Sequence, residues 1–164
     1  MRRTFKEVKD RVLLHEKLVD PNGRTIALIV RMKLDLVGVR THLADWRALD
    51  KPYCEFLVAA PVNSRGAIAE YRDALSGILA KEGRGQAERI PPAKVDNTCW
   101  LAKVEPVAVA AFRKRADVHS EWSSMTRFER YLLCHAVRKN DLELCRNFAG
   151  ELSDFKCQSK KIGN

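Results

Sequence analysis

The sequence predicts an α+β domain: a small mixed or antiparallel sheet covered by helices and closed by a C-terminal αα-hairpin. Three observations predict it. A "DPNG" turn at 20–23 separates two runs rich in Val, Leu and Ile. Two more short apolar runs, near 53–60 and 98–104, have the composition of strands. The stretches 63–82 and 126–155 carry apolar side chains at helical spacing.

The elements follow in order. Pro21 presets φ, and Asn22 and Gly23 tolerate positive φ, so the turn reads as the tip of an antiparallel hairpin with strands near 11–19 and 24–33. Ile26, Leu28 and Val30 face one side of the second strand, with Arg31 and Lys33 toward its edge. Val39, Leu43, Trp46 and Leu49 share a stripe, giving a helix over 39–49 that Pro52 follows. "YCEFLVAAP" at 53–61 is apolar almost throughout, as in a strand covered on both faces. In the helix at 63–82, Asn63 or Ser64 is the cap, Ile68, Tyr71, Leu75, Ile78 and Leu79 are the buried stripe, and Gly83 is the terminator. Glycines, prolines and charges make 81–97 an exposed loop. "TCWLAKV" reads as the fourth strand, and Pro106 starts a helix over 106–117.

At the C-terminal end, Thr126 and Glu129 have capping-box spacing, and Phe128, Leu132, Leu133, Ala136 and Val137 form one face. Asn140 and Glu143 restart a second helix with the stripe Leu144, Cys145, Phe148, Leu152 and Phe155. So short a turn requires a helical hairpin. "CHAVRKNDLELCRNF" resembles the second half of an ankyrin-type helical pair. One such unit cannot bury its own face and no second copy occurs, so the resemblance supports the hairpin and nothing more. Residues 1–157 are expected to form one domain, with 158–164 a flexible tail.

Composition narrows the function. Hydrophobic residues make up 46% of the 164 positions, enough for a core. The longest apolar runs, "IALIV" and "FLVAA", are far short of the roughly 20 residues that span a bilayer. The charged start "MRRTFKEVKDR" does not resemble a signal peptide. Five widely spaced cysteines with no CxxC read as reduced thiols, and the expected compartment is the cytoplasm. No membrane contact is expected, and the oligomeric state is not legible in the sequence.

Net charge is +9, and the excess sits at the two ends: +4 over 1–35, +1 over 36–100 and +4 over 101–164. Such a field attracts polyanions and acidic proteins alike. The leading expectation is a non-catalytic, nucleic-acid-associated accessory protein that grips DNA or RNA phosphates without reading sequence. The contact candidates are Arg2, Arg3, Arg31 and Lys33 at the front, and Arg113, Lys114, Arg115, Trp122, Arg127 and Arg130 at the back. Convergence of the two sets into one patch is what that role requires. The alternative is a protein-binding adaptor or inhibitor docking an acidic partner, with Trp46, Trp122 or Tyr131 as anchors. Asn63, Ser64 and Arg65, at a strand-to-helix junction, are an anion-binding candidate. The second hairpin helix mixes Arg146, Asn147 and Lys156 with four carboxylates, which argues against a base-reading helix-turn-helix. No paired-ligand spacing, nucleophile elbow or cofactor fingerprint occurs, so neither metal nor cofactor is expected and the reading leans away from an enzyme.

Overall fold

The "DPNG" turn joins two helices rather than two strands. In the computed structural model, which describes residues 10–85, 87–90 and 99–161 and side chains as far as 152, α1 spans Leu14–Val19 and α2 spans Leu28–Val37. Both carboxylate oxygens of Asp20 hold the turn. Oδ1 accepts from the Arg24 amide at 3.1 Å, and Oδ2 accepts from the amide and hydroxyl of Thr25, each at 2.7 Å. The Thr25 hydroxyl, then the backbone donors, keep this carboxyl below the usual aspartate range. Glu16 ties α1 to α2: one oxygen accepts from the Leu13 amide and the other from the Leu28 amide at 2.7 Å, capping the first turn of α2.

The predicted α+β class is therefore corrected: the chain is mostly helical. The described residues form eight α-helices and one two-stranded antiparallel ladder, β1 (Val39–Arg40) against β2 (Glu88–Arg89), with Val39 opposite Arg89. The apolar run that read as a strand is a helix buried on nearly every side: Leu28, Ile29, Val30, Met32, Lys33, Leu34 and Val37 are all buried. A helix of that kind leaves only a narrow polar strip, here Arg31 and Asp35, so its sequence looks like a two-sided strand. Gly38, at φ 70°, ends it in the left-handed conformation.

The second predicted strand is also a helix, α4 (Lys51–Ala59). Pro52 starts it instead of following the one before, because a first-turn proline gives up no hydrogen bond. The predicted helix over 39–49 is shortened to α3 (Leu43–Ala48), its first residues having joined β1. The fourth expected strand is a 3₁₀ turn, Cys99–Leu101. Three predicted helices are present: α5 (Arg65–Lys81), α6 (Val107–Arg115) and α7 (Arg127–Lys139). The capping box of α7 is formed as read, with Glu129 N donating to Thr126 Oγ1 at 3.2 Å and Thr126 N to a Glu129 carboxylate oxygen at 2.9 Å. Asn140 ends α7, at φ 49°, and Asp141 caps α8 (Leu142–Lys161) by accepting from the Leu144 amide at 2.9 Å. The two helices pack on each other, so the hairpin holds.

Contacts group the chain into two compact units, residues 10–97 and the residues from 98 onward. In the first, α2 packs on α4 and α5, with Tyr71, Leu75 and Leu79 facing inward. The Tyr71 hydroxyl donates to the Leu57 carbonyl at 2.8 Å. In the second, α7 is central and receives α6, α8 and the 3₁₀ turn.

Candidate functional site

The structure separates the cations that build the fold from those that face outward. Arg2 and Arg3 lie outside the described residues. Arg31 is exposed, with its Nε donating to the Ile26 carbonyl at 3.0 Å. Lys33 is 0% exposed. Its Nζ donates to the Val58 and Ala60 carbonyls, both at 2.6 Å, and meets an Asp10 carboxylate oxygen at 2.7 Å. The ammonium thus fills its three donor positions and closes the C-terminal end of α4, where a cation complements the helix dipole. Burial lowers its pKa and Asp10 partly restores it. Lys33 is a structural cation, and its interior position offers no phosphate contact.

In the second unit, Arg113 and Arg130 are similarly engaged. Arg113 and Glu105 are paired through two bonds, Nε–Oε1 at 2.7 Å and Nη2–Oε2 at 2.9 Å, and both side chains are 15% exposed. Glu105, the main influence, pushes the guanidinium pKa further up. A third bond from Arg113 reaches the Val118 carbonyl at 3.1 Å. Trp122 is buried, and its Nε1 donates to the Ala102 carbonyl at 3.0 Å. Arg130 lies 4.9 Å from the Trp122 ring centroid and donates to the carbonyls of Trp122 and Ala102. These residues lock the 99–105 segment onto α7. The three aromatics expected as anchors, Trp46, Trp122 and Tyr131, are all inside, at 4%, 5% and 3% exposure.

Lys114, Arg115 and Arg127 do face solvent. The first two continue a face of α6 that the sequence reading missed. Val109 and Phe112 point inward on this helix. The outer positions are Val107, Ala108 and Ala111, followed by Lys114 and Arg115, both one turn beyond Ala111. Val107 is 87% exposed and Val104, just before the helix, 80%. The surface therefore passes from apolar to cationic along one helix. The signal was available, since a helical wheel started at Pro106 puts Val109 and Phe112 opposite Val107 and Ala111; the apolar run "VAVAAF" concealed it.

The anion-binding candidate is a helix cap. The Ser64 hydroxyl accepts from the Ala67 amide at 3.0 Å, and Asn63 and Arg65 are exposed beside it. A cleft of about 70 Å³ opens in the second unit between α7 and α8, lined by Met125, Leu132, Leu133, Phe148 and Leu152, with Glu129 at its polar side. That is well below the roughly 300 Å³ at which small-molecule sites begin. It suits one inserted side chain rather than a cofactor. Among the described residues no group of three or more His, Cys, Asp and Glu side chains is placed to hold a metal ion. No helix among them is long and apolar enough to cross a membrane.

A family model described as conserved nitrate reductase-associated protein matches residues 15–155. No curated protein and no solved structure matches the chain.

Proposed function

The chain belongs to the conserved nitrate reductase-associated protein family, and from that membership we propose that it is a docking protein of the cytoplasm, binding a partner protein through the outer face of α6. The observation that carries this reading is the exposure of Val107 at the start of α6 and of Val104 just before it, 87% and 80%, with Lys114 and Arg115 exposed at the helix end. An apolar contact backed by cations fits a partner surface that is apolar at its centre and acidic at its edge. Burial of the valines supplies affinity, and the cations steer the encounter. The family description names association with nitrate reductase, which makes that enzyme the first partner to test. The four described cysteines are free thiols, in keeping with a reducing compartment.

Phosphate gripping by the second unit would have to rely on exposed cations such as Lys114, Arg115 and Arg127, since Arg113 and Arg130 are bound internally. That favours docking over the nucleic-acid role. The test is a calorimetric titration of purified nitrate reductase with the nuclease-treated chain. Stoichiometric binding is expected, weakened by salt, and Val107→Asp should lower affinity at least about tenfold without unfolding the protein. No complex, or a complex that disappears with nuclease treatment, would overturn the proposal; the second result would restore the nucleic-acid role.

A further inference from the structure

Val104, one of the two valines of the docking face, stands outside any helix, yet the structure holds it in place. Lys103 and Val104 form a bend between the 3₁₀ turn and α6. Among the described residues, the amides of Lys103, Val104 and Glu105 make no backbone hydrogen bond. Side chains from elsewhere hold both ends of the bend instead. Before it, the Ala102 carbonyl accepts from Trp122 Nε1 at 3.0 Å and from Arg130 Nη1 at 3.3 Å. After it, the two carboxylate oxygens of Glu105 accept from Arg113 at 2.7 and 2.9 Å. Arg113 lies eight residues on, in the last turn of α6. Its side chain runs back toward the helix start, the direction that helical side chains take. A third bond, to the Val118 carbonyl at 3.1 Å, anchors the same guanidinium. Pro106, between Glu105 and the helix, fixes the remaining φ at −59°.

We propose that Glu105 and Arg113 are positioning residues of the docking face, a role that rests on the docking reading: they hold Val104 in the conformation the partner meets. Neither is a contact residue. Both side chains are only 15% exposed, and their charges are turned to each other. A segment without backbone bonds would otherwise be ordered at the moment of binding, a cost that prior fixing removes. A forked pair suits this task, since two parallel bonds set orientation as well as distance. The clamp also leaves the surface cationic. Arg113 matches the Glu105 charge, while Lys114 and Arg115 stay exposed at the helix end. The helix fixes Val107 relative to those cations, and the clamp extends the same fixed spacing to Val104.

The test combines association and dissociation rates on purified nitrate reductase with backbone order parameters of the free chain from NMR relaxation. In the wild type, residues 103–105 should be as ordered as α6, with order parameters of about 0.85. Glu105→Ala should drop them below about 0.6. It should also slow association at least about fivefold with dissociation nearly unchanged, because a smaller fraction of molecules presents Val104 correctly. Charge alone predicts the opposite sign, since removing a carboxylate from a basic surface speeds the approach of an acidic partner. Val104→Ala, which removes a contact, should instead speed dissociation. Order parameters below about 0.6 at 103–105 in the wild type, or association of Glu105→Ala at the wild-type rate or faster, would overturn the proposal and leave the docking reading standing. No binding by the wild type would overturn the docking reading, and this role with it. The wild-type relaxation measurement needs no variant to fold.

Discussion

Replacing Lys33 with methionine is expected to destabilise the unit formed by residues 10–97 by about 3–5 kcal/mol, because it takes the donor from two backbone carbonyls, at about 1–3 kcal/mol each, and the cation from the partly exposed Asp10. Methionine keeps most of the side-chain volume and still packs within α2. What it removes is the donor shared by the Val58 and Ala60 carbonyls and by Asp10. Two backbone acceptors at the end of α4 would then be stranded in the interior. For a unit of this size the loss corresponds to a fall in Tm of more than about 10 °C. Thermal unfolding followed by circular dichroism checks it.

The pH dependence has a definite sign. Burial lowers the Lys33 pKa below its ordinary 10.5, and Asp10 offsets only part of this. Between the lowered value and 10.5 the unfolded chain binds more protons than the folded one, so this group's contribution to stability rises with pH. The advantage is complete above 10.5 and is lost as pH falls through the lowered value. The gap between wild type and Lys33→Met should accordingly widen toward alkaline pH. A variant as stable as the wild type would mean that the α4 carbonyls find other donors.

Trp100→Ala should cost the second unit a similar amount, about 3–5 kcal/mol, because it empties a site that is 1% exposed. It also removes the edge-to-face partner of Tyr131. Trp100→Phe separates packing from polarity. Among the described residues the Trp100 indole nitrogen has no acceptor, so phenylalanine gives up an unsatisfied donor and keeps the ring contact. Its loss should be less than half that of alanine. Chemical denaturation of the three proteins gives the comparison. Equal losses would show that indole volume, and not the ring contact, sets the stability.

Legibility in the sequence followed the local physics. The capping box of Thr126 and Glu129, the Ser64 cap and the stripe Tyr71–Leu75–Leu79 were readable because each depends on residues three or four apart. The strand assignments failed where burial is set by distant partners. "ALIVRMKL" leaves only Arg31 exposed because α2 packs on α4 and α5, and the one lysine in it is satisfied by carbonyls 25 and 27 residues away. No local pattern marks such a lysine as buried, which is why it read as an edge cation. Arg113 misled for a similar reason. In "RKR" the three cations look equivalent, yet the helix turns the first toward Glu105 and leaves the next two in solvent. The outer face of α6 went unread because exposed valines and buried valines are written alike in a short apolar run.

The docking role is tested most directly by amide hydrogen exchange of the chain, alone and with purified nitrate reductase. Protection gained on binding should concentrate in residues 101–115, covering the approach to α6 and the helix itself, and should vanish with Val107→Asp. Protection confined to α5 and its Ser64 cap, or exchange identical with and without the enzyme, would contradict the account.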